Sequence, residues 1–172
     1  MLKLLGAGIT IVSCSAAGFR ICSVMKQRIR VLQELRRMTV MLSSEITYAN
    51  ATMEEAFFRI GKRLSAPVGT FLAHVRAGME EGEHGLLCDI FRSQMEQDFA
   101  GSGLKRTDME SLETLGAQLG YLDTAMQKKT LDYYLEQVND ACAQAQQEYR
   151  EKEKLFRCLG ISAGVFLVIL LY

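Results

Sequence analysis

Tryptophan is absent from this chain of 172 residues, proline occurs once, at Pro67, and histidine only twice. With a single proline, almost nothing obliges the backbone to leave a helix once it has entered one. Two histidines leave little material for imidazole catalysis or a histidine-built metal centre. The five cysteines, Cys14, Cys22, Cys88, Cys142 and Cys158, are odd in number, widely spaced and form no C-x-x-C. That pattern supplies neither a disulfide framework nor a structural zinc site, and it suits a reducing compartment. A G-x-x-x-x-G-K phosphate loop is missing too, and Gly101-Ser102-Gly103-Leu104-Lys105 reads as a turn between helices.

Charge is missing in two places. Leu4 to Phe19 and Cys158 to Tyr172 carry none, while Arg20 to Arg157 is rich in Glu, Lys, Arg and Gln. The pattern predicts membrane helices over 4–24 and 155–172, holding a helical domain over 25–154 on one side of a bilayer. Sixteen and fifteen uncharged residues rise only about 24 and 22 Å as helix, against a hydrocarbon thickness of roughly 30 Å. Lys3, Arg20 and Arg157 narrow that gap by snorkelling.

A formal net charge of zero conceals an asymmetry. Arg20, Lys26, Arg28, Arg30, Arg36 and Arg37 follow the first apolar run, and Arg150, Lys152, Lys154 and Arg157 precede the second. The positive-inside rule then puts the domain in the cytoplasm and both ends outside. Such flanks favour an anionic lipid surface over a nucleic acid. A competing reading takes Ile11-Val12-Ser13-Cys14 as a lipoprotein signal with Cys14 lipidated, which would put the domain outside the cell. It leaves the positive flanks on the wrong side.

Between the runs, apolar residues recur at helical spacing and predict an all-α bundle of about six helices. The first runs on from the N-terminal span to about Tyr48, with Val31, Leu35, Met38, Leu42 and Ile46 on one row. Thr52-Met53-Glu54-Glu55 is a capping box opening a short helix with Met53, Ala56, Phe57, Ile60 and Leu64 inward. Pro67 restarts the chain for a helix burying Val68, Phe71, Leu72, Val75 and Met79, which stops near Gly82. Another carries Leu87, Ile90, Phe91, Met95 and Phe99. Thr107-Asp108-Met109-Glu110 repeats the capping box before Leu112, Leu115 and Leu119, and Gly120 supplies the stop. From Asp123 a long helix runs unbroken into the second span.

Chemistry is scarce. His84 and Cys88 stand four apart, as two metal ligands on one helix would, but no third or fourth ligand accompanies them. Glu54-Glu55 and Glu80-Glu81 are neighbours that diverge on a helix and make no acid–base pair. No nucleophile comes with a base. The chain reads as a non-enzyme without cofactor or metal. Two features read as recognition instead. Gly160-Ile161-Ser162-Ala163-Gly164 is a small-xxx-small pattern that lets another helix approach, although the spacing also arises by chance. Gly116 and Gly120, four apart, fit either a frayed helix end or a close helix–helix approach.

Glu45-Ile46-Thr47-Tyr48, Met53-Glu54-Glu55-Ala56-Phe57, Leu115-Gly116…Leu119-Gly120…Asp123 and Lys152…Lys154 before Leu159-Gly160…Gly164 carry a resemblance over nearly the whole length. In order and spacing the chain resembles the stage III sporulation protein AB family of endospore-forming bacteria. That family looks like a relative of the six-helix cytoplasmic domain of type II secretion system protein F. The resemblance implies a membrane platform component of the channel joining mother cell and forespore. Its implied partners are the ATPase of the same complex, stage III sporulation protein AA, and other channel membrane proteins, with a homo-oligomer also open. The tryptophan expected in the middle helices is missing, and Phe91 is the residue expected to fill its place. The turns predicted at the end away from the membrane make Glu54, Gly120, Tyr121 and Asp123 the candidate partner-binding residues, with Tyr121 either an anchor or a hydrophobic staple. Gly160 and Gly164 are the candidate packing residues within the span. A membrane-bound sensor or regulatory binding module is the alternative function.

Overall fold

The structure is a computed structural model. It describes the backbone of residues 2–49, 51–80, 87–119 and 124–171, and the side chains of 20, 22–49, 51–80, 87–119, 125–153 and 155. The described residues form six α-helices and no strand: α1 Leu2–Tyr48, α2 Met53–Gly61, α3 Val68–Glu80, α4 Leu87–Asp98, α5 Arg106–Leu119 and α6 Thr124–Leu171. The two long helices pair antiparallel: Arg28 faces Glu148, whereas Arg36, further along α1, lies near Cys142, earlier on α6. The short helices follow one another around this pair, α2 on α3, α3 on α4, α4 on α5 and α5 back on α6.

The predicted apolar rows are the core. Val31, Leu35, Met38, Leu42 and Ile46 of α1 are buried against Leu131, Tyr134, Val138, Cys142 and Ala145 of the same core cluster. Ala56, Phe57 and Ile60 of α2, and Val68, Phe71, Leu72 and Val75 of α3, complete one side, with Met53, Leu64 and Met79 packed at its margin. Phe91 is buried in the middle of the core. It meets Phe71 edge-on at 4.7 Å and 87°, a favoured aromatic geometry. Its ring also rests on Gly116, where a Cβ would stand 2.2 Å from the ring. Gly116 therefore marks a close approach of α5 to α4 and no frayed end.

Helix starts follow the predicted chemistry unevenly. Thr52 caps α2 by accepting from the Glu55 amide at 3.3 Å, but the Glu55 carboxylate turns forward to Arg59 instead of back to close the box. At α5 the reading needs correction. The helix starts at Arg106, ahead of Thr107, and it is Asp108 that reaches back to accept from the Lys105 amide at 2.8 Å. An acid at the third helical position performs the returning half of a capping box; Thr107, already inside the first turn, is no cap.

Among the described residues no helix is long and apolar enough to cross a membrane. The backbone of α1 and α6 continues through both uncharged runs, whose side chains lie outside the described residues. The expected spans over 4–24 and 155–172 are accordingly not shown.

Candidate functional site

Of the residues singled out for partner binding, Glu54 is described, exposed in the first turn of α2. Gly120, Tyr121 and Asp123 lie outside the described residues, as do His84 and the side chain of Cys14. Gly160 and Gly164 belong to the α6 backbone, and what they face is likewise outside the described residues. Around Glu54 the surface is built from ion pairs. Arg59 donates to Glu45 of α1 at 3.1 Å and also pairs with Glu55, tying α2 to the far end of α1. Glu34 of α1 pairs with Arg37 and accepts from the Ser65 amide at 3.1 Å, fixing the turn before α3. Phe58, partly exposed, lies under Lys62 and Arg76, with Lys62 Nζ 3.8 Å from the ring centroid.

A second constellation, at the opposite end, was not anticipated. Arg28 of α1 is buried and grips Asp108 with two bonds, Nε to Oδ2 at 2.8 Å and Nη2 to Oδ1 at 3.0 Å. Asp108 is buried as well and takes its third bond from the Lys105 amide. Lys105 Nζ reaches α6 to bond Glu148 at 2.6 Å, and Glu148 stands 3.7 Å from Arg28 Nη1. Hydrogen bonding to Lys105 holds the Glu148 carboxyl below the ordinary range, with Arg28 and Lys152 adding to the effect against partial desolvation. Bonding to Asp108 likewise strengthens the hold of Arg28 on its proton. A fork-to-fork pair with its remaining acceptor occupied is the arrangement that makes burial of two charges tolerable.

Backbone conformation brings that end together. Gly103 sits at φ +81°, which favours glycine, and a Cβ there would come within 2.9 Å of the Val24 carbonyl oxygen. The turn between α4 and α5 therefore lies directly on α1, and Gln27 Nε2 donates to the Gly101 carbonyl at 3.2 Å. One signal in the sequence pointed here. Arg28 stands three and seven residues before Val31 and Leu35 and so continues the buried row of α1, where a charge needs a partner. Asp108 was hidden by its place in what looked like an ordinary capping sequence.

No acid–base or nucleophilic machinery emerges from either constellation. Arg28 and the Lys105 amide occupy the Asp108 carboxylate, whose role is structural. Among the described residues, no group of three His, Cys, Asp or Glu is placed to hold a metal ion. Beside Asp108 and Cys142, burial pushes the Tyr134 phenol far up, and burial likewise raises the Cys142 thiol, so neither is poised to react near neutral pH.

Comparison with known proteins agrees with the resemblance. The family model described as Stage III sporulation protein AB matches residues 3–172. A Stage III sporulation protein AB of Bacillus subtilis (strain 168) is 29% identical over 171 residues, which cover 99% of both chains. A solved structure of Stage III sporulation protein AB superimposes with a TM-score of 0.66 at 24% identity, covering 72% of this chain and 97% of that one. At that identity the solved structure speaks to the fold, while the match across nearly the full sequence speaks to descent. The chain belongs to the Stage III sporulation protein AB family.

Proposed function

We propose that the protein is a non-enzymatic, membrane-attached adaptor in the sporulation channel between mother cell and forespore, passing assembly or mechanical information from the complex's cytosolic ATPase to the membrane. One observation carries the reading: the two longest helices form the spine of the bundle and continue, without a break in helical backbone, into the two uncharged runs. A displacement at the far end of such a pair is delivered along the helices to their other ends. The basic residues at the near end favour a cytoplasmic bundle. Glu54, with Gly120, Tyr121 and Asp123, forms the proposed docking face for the ATPase, and Gly160 and Gly164 the proposed contact with neighbouring spans.

Binding decides the docking face. The full chain in detergent should bind the purified ATPase of the complex, and Glu54→Lys combined with Asp123→Lys should weaken that binding at least about tenfold, as loss of a central charged contact does. Equal binding by parent and variant would remove this face. Orientation is read separately by an impermeant thiol reagent on intact cells. Cys142 is buried and a poor reporter, so the exposed Ser93→Cys is the better position. Protection of Ser93→Cys until the cells are permeabilised is the expected result.

A further inference from the structure

The adaptor reading leaves one feature of the molecule unused: a cleft of about 140 Å³ where α1 and α6 leave the bundle. It is well below the roughly 300–1,000 Å³ of sites that enclose whole metabolites. Three cations border it, Arg28, Lys105 and Lys152, with Glu148 among them. Arg28 bonds Asp108 and Lys105 bonds Glu148 on one side; Lys152, exposed, makes no direct ion pair with a described residue and acts on Glu148 only at longer range. Three cations against two carboxylates leave one positive charge in excess.

Polarity is ordered along this cleft. On α6, Glu148, Lys152 and Leu155 recur four and three residues apart and so share a face; on α1, Val24 and Arg28 do the same. Passing outward from the bundle, the lining changes from buried Arg28 to the rim ammonium groups and to Val24, 50% exposed; Leu155, on the Lys152 face of α6 beyond the lining, is 60% exposed. The uncharged runs begin just beyond them. A small cationic cleft opening onto an apolar strip matches an anionic amphiphile: one compact charged group, followed by hydrocarbon.

We propose that this cleft seats the phosphate of an anionic phospholipid beside Lys152 and Lys105, with an acyl chain laid along Val24 and Leu155. The proposal rests on the membrane-attached reading above. Full-length protein in phosphatidylcholine nanodiscs, with or without phosphatidylglycerol, tests it. Phosphatidylglycerol should raise the thermal midpoint of the bundle by about 3–5 °C, since a ligand that binds only the folded state stabilises it. Lys152→Glu should lose most of that rise. Arg150→Glu, an identical charge change at an exposed position outside the cleft, should retain it. Equal losses in the two variants would mean diffuse surface attraction and overturn the proposal, as would no rise in the parent. Should Lys152→Glu fail to fold, Lys152→Gln takes its place. Inorganic phosphate added to phosphatidylcholine discs separates the sources: a rise reproduced by phosphate alone and lost in Lys152→Glu makes the ligand soluble phosphate and overturns the lipid assignment. Carbonate extraction of cell membranes reports on the other reading. Release of the chain overturns membrane attachment, whereas a retained chain without a phosphatidylglycerol effect overturns the lipid cleft alone.

Discussion

Asp108 does three things with one carboxylate: it pairs with Arg28, caps the start of α5 and lies close to the buried Tyr134. Asp108→Ala should therefore destabilise the bundle by about 3–5 kcal/mol, most of it from leaving Arg28 buried and unpaired. Replacing both partners, Arg28→Met with Asp108→Leu, should recover much of the loss. Chemical denaturation of the two variants checks it, and equal stability of Asp108→Ala and parent would show that the pair is idle. Tyr134 makes a pH prediction. Its phenol is raised above the value it has in the unfolded chain, so the native state keeps a proton that the unfolded state gives up. The stability from this group is complete below about pH 10, its ordinary value, and is lost as pH rises further. Tyr134→Phe keeps the ring and removes the titration, so its stability should fall less steeply than the parent's between about pH 9 and 11. Parallel curves would place the alkaline loss elsewhere.

At the scale of the element, the contact of α4 with α5 depends on a missing side chain. Gly116→Ala would push a methyl into the Phe91 ring, whose nearest atoms would lie 2.2 to 2.7 Å away. The ring is held by Phe71 and cannot retreat freely, so a loss of about 1–3 kcal/mol is expected. Phe91→Leu in the same chain should return part of it. If Gly116→Ala alone melts like the parent, the approach of the helices is looser than described. Elements were the most legible part of the sequence. The apolar rows of α1 to α5 are the buried residues almost position for position, because helical periodicity is a local property that packing respects. The start of α5 was misread because Thr107 and Asp108 both suit helix caps, and only the tertiary partner Arg28 decides which one turns inward. The contacts between helices were not legible for another reason. Ion pairs such as Arg59 with Glu45, or Arg92 with Glu113, join residues that become neighbours only once the helices have packed.

For the molecule as a whole, the bundle closes on itself, α5 returning to the α6 that pairs with α1, and the described core lies between Val31 and Ala145. The segment from Lys26 to Lys154, expressed alone, should fold as a soluble helical domain with a cooperative transition. A far-UV spectrum lacking strong helical minima would contradict this architecture. The family was legible from the order and spacing of several short segments, no one of which is diagnostic. The ionic end was not, since its four charged side chains come from positions spread between Arg28 and Glu148.

The antiparallel pairing of α1 and α6 has a mechanical consequence. Both helices leave the bundle on the same side, so drawing their free ends apart loads the seam by unzipping, layer after layer, and never by sliding along its whole length at once. Under tension, Lys26 against the Tyr149 ring is loaded ahead of the clasp of Arg28 with Asp108 and Lys105 with Glu148. The apolar layers behind it bear load only after it opens. Resistance to spreading is therefore concentrated in a few charged atoms at the root, where ionic strength can tune it, while the interior sets how much of the molecule follows once they give way.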